Sequence, residues 1–444
     1  MLPSAAVHGT TTSVRSGGAR LRFAAAVVLA AGTALVLAGC SGQTGNARVD
    51  TVDAGGDGTL RIGLILDNTG KQSFLNSSQL AAAKLAVEEI NAAGGHKGRP
   101  VELLPEKISE DTTAQAKELV AAKADVVIGP TDSSRAPGAI DVLARAKVAV
   151  ISPANAAHGL SRYRSGGYYF RTSAADVAQA PVLVKLAKDG GARTIAVLHE
   201  EGSYGKDVSV AVAAAAKAAG LGTVADAEFT PGQAQQAAAA AKAAGPDAVI
   251  LVARTGAQGA IAELNNKGLA GKKLILSDGA IHQYGSALGS KALDGARGIL
   301  PGVFPSAHFQ GELVAVDPGL KDMTFAAETY DAVNLAAIAA AAAQDDAGSS
   351  IAAGLIAVSG GSGKSGGTVP SAASGDGAAA VCKNYKECAD AIKAGKPADY
   401  DGESGRIGFD ANGDVTSANY MVFTYSADNK ARMTGSETAA RAGG

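Results

Sequence analysis

Gly361-Ser362-Gly363-Lys364-Ser365 brings together the residue types of a phosphate cradle. Such a loop needs a further glycine five positions before its last one, and Val358 stands there. It also needs a strand leading in and a helix leading out, whereas Val358 to Ala378 is rich in Gly and Ser and reads as a loop. The six histidines are scattered without paired spacing, so neither a nucleophile with its base nor a set of metal ligands can be picked out. No catalytic residue, cofactor or metal is assigned. An enzyme is not expected.

The other reactive residues are three cysteines. Arg15, Arg20 and Arg22, with no acid before them, precede an apolar run from Phe23 to Ala38 that is too short for a comfortable membrane span and reads as an export signal. Its end, Leu37-Ala38-Gly39-Cys40, resembles the lipobox of bacterial lipoproteins. That resemblance implies a signal peptide over 1–39, lipidation of Cys40, and an extracytoplasmic protein anchored to the cell membrane by lipid. The alternative is an ordinary cleaved signal and a soluble secreted product. Cys382 and Cys388 are then an even pair in an exported chain and predict one local disulfide, because zinc would need more ligands and no His accompanies them.

Removing the three leader arginines takes the formal charge from −2 to −5, and no basic block remains to attract nucleic acid. The body is long enough for two domains. Residues 40–58 have almost no large apolar side chains and read as a flexible tether. From Leu60, short β-branched or Leu-rich runs alternate with longer Ala-rich stretches of helical spacing. Arg61–Leu66, Val101–Pro105, Asp125–Ile128 and Val148–Ile151 read as strands of a first unit, with helices at Ser77–Ala93, Thr113–Ala122 and Ala136–Ala146. A second unit has strands at Thr194–Leu198, Thr223–Phe229, Ala248–Val252 and Leu274–Leu276. Two α/β units in tandem predict two doubly wound lobes with a cleft between them. Later in the chain, Phe325–Ala343 reads as one long helix, and Ile407–Phe409 and Tyr420–Tyr425 as short strands.

Several strings, in order along the chain, resemble the type I periplasmic binding proteins, and among them the branched-chain amino acid receptors of ABC importers. They are Glu88-Glu89-Ile90-Asn91-Ala92-Ala93-Gly94-Gly95, Val126-Val127-Ile128-Gly129-Pro130 with Ser133-Ser134, Ile151-Ser152-Pro153-Ala154, Tyr169-Phe170-Arg171-Thr172, Ser203-Tyr204-Gly205, Leu276-Ser277-Asp278-Gly279 and Thr329-Tyr330-Asp331-Ala332-Val333. The resemblance implies two α/β lobes joined by a three-strand hinge. Chain crossings near Thr172, Pro301 and Thr416 would give an N-terminal lobe of 59–172 and 302–415, a C-terminal lobe of 173–301 and 416–428, and a tail of 429–444. Ligand would sit where loops leave the carboxyl ends of the strands.

The same resemblance implies the site. Ser133, with Ser134 beside it, takes the position that holds a ligand carboxylate through a hydroxyl and backbone amides. The loop at Ala154 and Asn155 offers a carbonyl to the ligand ammonium, but Ala156 stands where the family places a Thr or Ser hydroxyl. Losing that hydrogen bond to a charged group costs about 1.5–3 kcal/mol, with Asn155 and His158 as possible substitutes. Tyr204 packs over the ligand, and Asp278 pairs with its ammonium. Arg254 replaces an aromatic contact and is left either to meet a further anionic group or to point into solvent. Phe74 and Leu75 are expected to wall the side-chain pocket.

The expected function is capture of an amino acid of branched-chain type, or a similar small polar solute, by a monomeric lipoprotein that serves an ABC permease and ATPase. A sensor or scavenger of the same fold is the alternative role. An amide, urea-like or aromatic solute is the alternative ligand, because of Ala156 and the altered loop at Arg254.

Overall fold

The computed structural model describes residues 45–50, 54–66, 69–361 and 379–440. The leader, Cys40, most of the Gly/Ser-rich stretch and the Gly-Lys-Ser string beyond Gly361 lie outside these residues.

In the first lobe β1 (Arg61–Leu64), α1 (Asn76–Ala92), β2 (Glu102–Leu103), α2 (Thr112–Ala121), β3 (Val126–Ile128), α3 (Ala136–Arg145), β4 (Ala149–Ser152) and β5 (Tyr169–Arg171) follow one another. The strands form a parallel sheet in the order β2-β1-β3-β4-β5. β3 and β4 are buried along their whole length, as a parallel sheet covered on both faces requires. Alternation sends Val126 and Ile128 into the core that contains α1, and Val127 into the core of α2 and α3.

The second lobe is built from α4 (Ala180–Asp189), β6 (Thr194–Glu200), α5 (Ser203–Ala219), β7 (Gly222–Phe229), α6 (Gln235–Ala244), β8 (Ala248–Val252), α7 (Ala257–Asn266), β9 (Leu274–Leu276) and β10 (Arg297–Pro301). Ile195 and Val197 face α4 and α5, while Ala196 and Leu198 face α6 and α7. The chain then returns to the first lobe with α8 (Ala307–Val316), α9 (Ala326–Ala343), α10 (Gly348–Val358), β11 (Ala380–Cys382), α11 (Tyr385–Lys393) and β12 (Ala398–Tyr400). β13 (Ser417–Tyr425) and β14 (Ala431–Ala440) complete the second sheet, whose order is β14-β13-β10-β9-β8-β6-β7. The passages from one sheet to the other therefore follow Arg171 and Pro301 and precede Ser417.

Several expectations need correction. The tail of 429–444 contains β14, because β13 presents an edge that it covers from Ser417↔Ala440 to Tyr425↔Ala431. The tether of 40–58 is fastened in its described part. The amides of Gly55 and Gly56 donate to Asp345, and those of Asp57 and Gly58 to Asp346. Arg48 is buried, its guanidinium donating to the Tyr169 carbonyl and lying 4.9 Å from the centre of the Phe170 ring. Glycine-rich chain exposes backbone donors, and the carboxylates after α9 accept them. Ile407–Phe409 is no strand; Phe409 makes only an isolated bridge to Val415. Cys382 and Cys388 are bonded, with Cα atoms 5.3 Å apart, and both are buried in the core of the first lobe.

Candidate ligand-binding cleft

β3 leads into Gly129 at φ +117°, where a Cβ atom would lie 2.0 Å from the Ile65 carbonyl oxygen. Only glycine lets the chain pass so close to β1 and turn into the following loop. There Asp132 Oδ1 accepts from the Ser134 amide at 2.8 Å and from its hydroxyl at 2.7 Å, an Asx turn that fixes the loop. Ser133 Oγ accepts from the amides of Ala156 (3.1 Å) and Ala157 (3.3 Å). A hydroxyl has two acceptor sites and one proton. With both acceptor sites filled, the Ser133 proton is free to be donated to an anion.

The next loop is held from below. Ser152 Oγ donates to the Pro130 carbonyl and accepts from the amides of Ala154 and Asn155. Asn155 is fully buried; its side chain donates to the Thr131 carbonyl and accepts from the Tyr169 hydroxyl. Arg171, also fully buried, donates to the carbonyls of Asn155 and Ala157, to Ser161 Oγ at 2.6 Å and to Asp414 Oδ1 at 2.7 Å. One guanidinium thus ties the loop to the turn that precedes β13.

The opposite wall belongs to the second lobe. Tyr204 opens α5 because Gly205 follows it: a Cβ at Gly205 would lie 1.8 Å from the Glu200 carbonyl oxygen, so the helix starts hard against the end of β6. The Tyr204 hydroxyl donates to Asp278 Oδ1 at 2.5 Å and accepts from the Gly279 amide. Gln179 clamps Asp278 from the other side, donating to Oδ1 at 2.8 Å and accepting from the Asp278 amide at 3.1 Å. Both side-chain bonds fall on Oδ1, which leaves Oδ2 for an incoming cation. Burial, and then the Asp278 charge, raise the Tyr204 phenol well above its ordinary value. The same two causes push the Asp176 carboxyl up to about 6. Arg254 lies 3.9 Å above the centre of the Tyr204 ring and 3.3 Å from Asp176, so its charge is already engaged.

Between these walls lies a cavity of about 740 Å³. It brings together Ser133, Ser134, Ala154, Ala156, Tyr204, Arg254 and Asp278. Asn155 is not on its surface but braces the wall. Phe74 and Leu75 do not line it either. Gly70–Leu75 winds into a 3-10 turn running directly into α1, which leaves Phe74 exposed to solvent and Leu75 packed inside. Sequence reasoning missed Asp132, Asp176, Asp207, Glu328 and Arg406, all on the cavity wall. Asp176 stands just after the first crossing, and Glu328 lies beside the Thr-Tyr-Asp string, so position relative to the hinge was the available signal. His158 lines the cavity with a buried Nδ1 that has no hydrogen-bond partner.

Residues 59–430 match a family model described as periplasmic binding protein. The chain belongs to that family. A curated Leu/Ile/Val-binding protein of Rhizobium johnstonii is 31% identical over 180 residues, 39% of this chain and 48% of that one. A leucine-, isoleucine-, valine-, threonine- and alanine-binding protein of Pseudomonas aeruginosa is 32% identical over 173 residues, 37% and 44% of the two chains. The chain spans about half the length of the curated relatives it matches. Two solved structures share the fold over nearly their whole length. The branched-chain amino acid transporter substrate binding protein of Streptococcus pneumoniae, in complex with isoleucine, is 22% identical with a TM-score of 0.54, covering 86% of this chain and 99% of that one. A solute binding protein of an ABC transporter from Rhodopseudomonas palustris, in complex with p-hydroxybenzoic acid, is 16% identical with a TM-score of 0.60, covering 86% and 98%.

Proposed function

We propose that this periplasmic binding protein is the lipid-anchored, extracytoplasmic receptor of an ABC importer and that it captures an α-amino acid in the interlobe cleft. The observation that carries the reading is the division of the cavity: a Ser133 hydroxyl with its proton free on one wall, and Asp278 with Oδ2 free on the other. A zwitterion presents a carboxylate to the first and an ammonium to the second, both through charge-assisted hydrogen bonds in a partly dry site. An aromatic acid, such as the one bound to the Rhodopseudomonas palustris protein, fits less well, since five acids and two arginines share the cavity wall and one arginine is already paired. Closure of the lobes about the three crossings would complete the site, and partner permease and ATPase subunits would supply the energy for import.

Calorimetric titration of the purified protein with amino acids, benzoates and amides tests this. Saturable binding of one or more L-amino acids, abolished in Asp278→Ala, is the expected result. Binding confined to benzoates, or amino acid affinity unchanged in Asp278→Ala, would overturn it.

A further inference from the structure

Glu328 is an acid of this cavity that an aliphatic amino acid leaves without a partner. It lies in the first turn of α9, where that helix meets the hinge: the Thr172 hydroxyl, at the first crossing, donates to the Glu328 carbonyl at 2.8 Å. A Cβ built on Gly302, at the second crossing, would lie 3.2 Å from Glu328 Oε1. Thr172, Gly302 and Glu328 all line the cavity. The carboxylate therefore belongs to the hinge side of the cleft, on an element different from those that carry Ser133 and Asp278.

Among the described residues no ion pair reaches Glu328. Its carboxylate has its own amide as a hydrogen-bond donor, and the charge that acts on it is another acid, Asp331. Asp331 is itself satisfied by the Tyr400 hydroxyl, the Ser404 hydroxyl and two backbone amides. The cavity's arginines are elsewhere: Arg254 is engaged by Asp176 and Tyr204, and Arg406 is exposed. Glu328 is half-buried and lines the cavity, and burial raises its carboxyl to about 7. A desolvated acid facing a cavity without a counter-ion is a place for a ligand cation.

Resting on the amino acid reading of the cleft, we infer that the ligand carries a second cationic group, held by Glu328 on the hinge side while its α-ammonium pairs with Asp278. The class is a basic α-amino acid with an amine on its side chain. The missing hydroxyl at Ala156 fits this class, because a second ion pair offsets the lost hydrogen bond to the first ammonium.

The test compares L-lysine with L-norleucine, which shares its straight side chain but lacks the amine, by calorimetry on the wild-type protein, Glu328→Gln and Asp278→Asn. The expected result is at least a tenfold preference for lysine in the wild type, reduced to less than threefold in Glu328→Gln, with both ligands weakened in Asp278→Asn. Wild-type preference for norleucine, or a lysine preference that survives Glu328→Gln, overturns the inference and leaves the amino acid reading standing. Failure of the wild type to bind any amino acid overturns both. The wild-type ratio decides the matter even if the variant does not fold.

Discussion

The two walls of the cleft meet opposite charges by different means. Facing the carboxylate, the Ser133 loop of the first lobe offers a neutral group: the Ser133 hydroxyl, oriented by the amides of Ala156 and Ala157 on a scaffold of Asn155, Ser152 and Arg171, while Asp132 in the same loop is engaged by Ser134 and Arg135. The second-lobe wall is charged, with Asp278 held by Tyr204 and Gln179, and Asp176 balanced by Arg254. Amides and hydroxyls hold an anion without placing a desolvated cation in the empty site. A carboxylate facing the cleft must instead be hydrogen-bonded in advance, as Asp278 is. The anion wall therefore depends on its scaffold, and the cation wall on individual side chains.

That contrast predicts where each wall breaks. Arg171→Met should have the largest effect, since it removes a buried ion-pair partner of Asp414 and the donor to two loop carbonyls in the interior. A loss of about 3–5 kcal/mol is expected in urea unfolding, with ligand binding lost as well. Asp278→Asn should leave folding nearly intact and cost about 2–3 kcal/mol of amino acid affinity by calorimetry. Equal damage to stability would show that Asp278 is part of the scaffold. Ser133→Ala removes a donor to the ligand carboxylate and the acceptor of two amides, for about 1.5–2 kcal/mol of affinity.

The smallest effect is on stability and pH. The Glu328 carboxyl is raised from 4.5 to about 7 in the folded protein, so the native state holds a proton that the unfolded chain releases between those values. Stability from this group is fully present below about pH 4.5 and is lost as pH rises through about 7. Glu328→Gln should therefore be more stable than wild type by about 1–2 kcal/mol at pH 8, allowing for the partly open carboxylate, and the advantage should shrink toward zero at pH 4.5. A difference independent of pH in urea unfolding would show that Glu328 acts by packing and not by charge.

The sheets were legible from the sequence because buried parallel strands are short apolar runs between Gly and Pro, as in Val126-Val127-Ile128-Gly129-Pro130. The segment after Pro301 was less so. α10 is buried on nearly every side, which erases the amphipathic pattern of a surface helix, and α8 buries only Phe309 and Leu313. Ser133, Tyr204 and Asp278 could be placed from motifs that end strands or open helices. Phe74 could not, because its direction depends on a 3-10 turn. Arg171 takes its ion-pair partner, and Glu328 its contact with the first crossing, from residues more than 150 positions away, which local spacing cannot reveal.

The central claim, that one wall reads the carboxylate and the other the ammonium, is tested most directly by calorimetry with matched ligands. L-lysine or L-norleucine, whichever binds tighter, is compared with its carboxamide and its des-amino analogue on Ser133→Ala and Asp278→Asn. The account predicts that Ser133→Ala weakens the amino acid but not the carboxamide, and that Asp278→Asn weakens the amino acid but not the des-amino acid. Equal losses for all three ligands in either variant would contradict it.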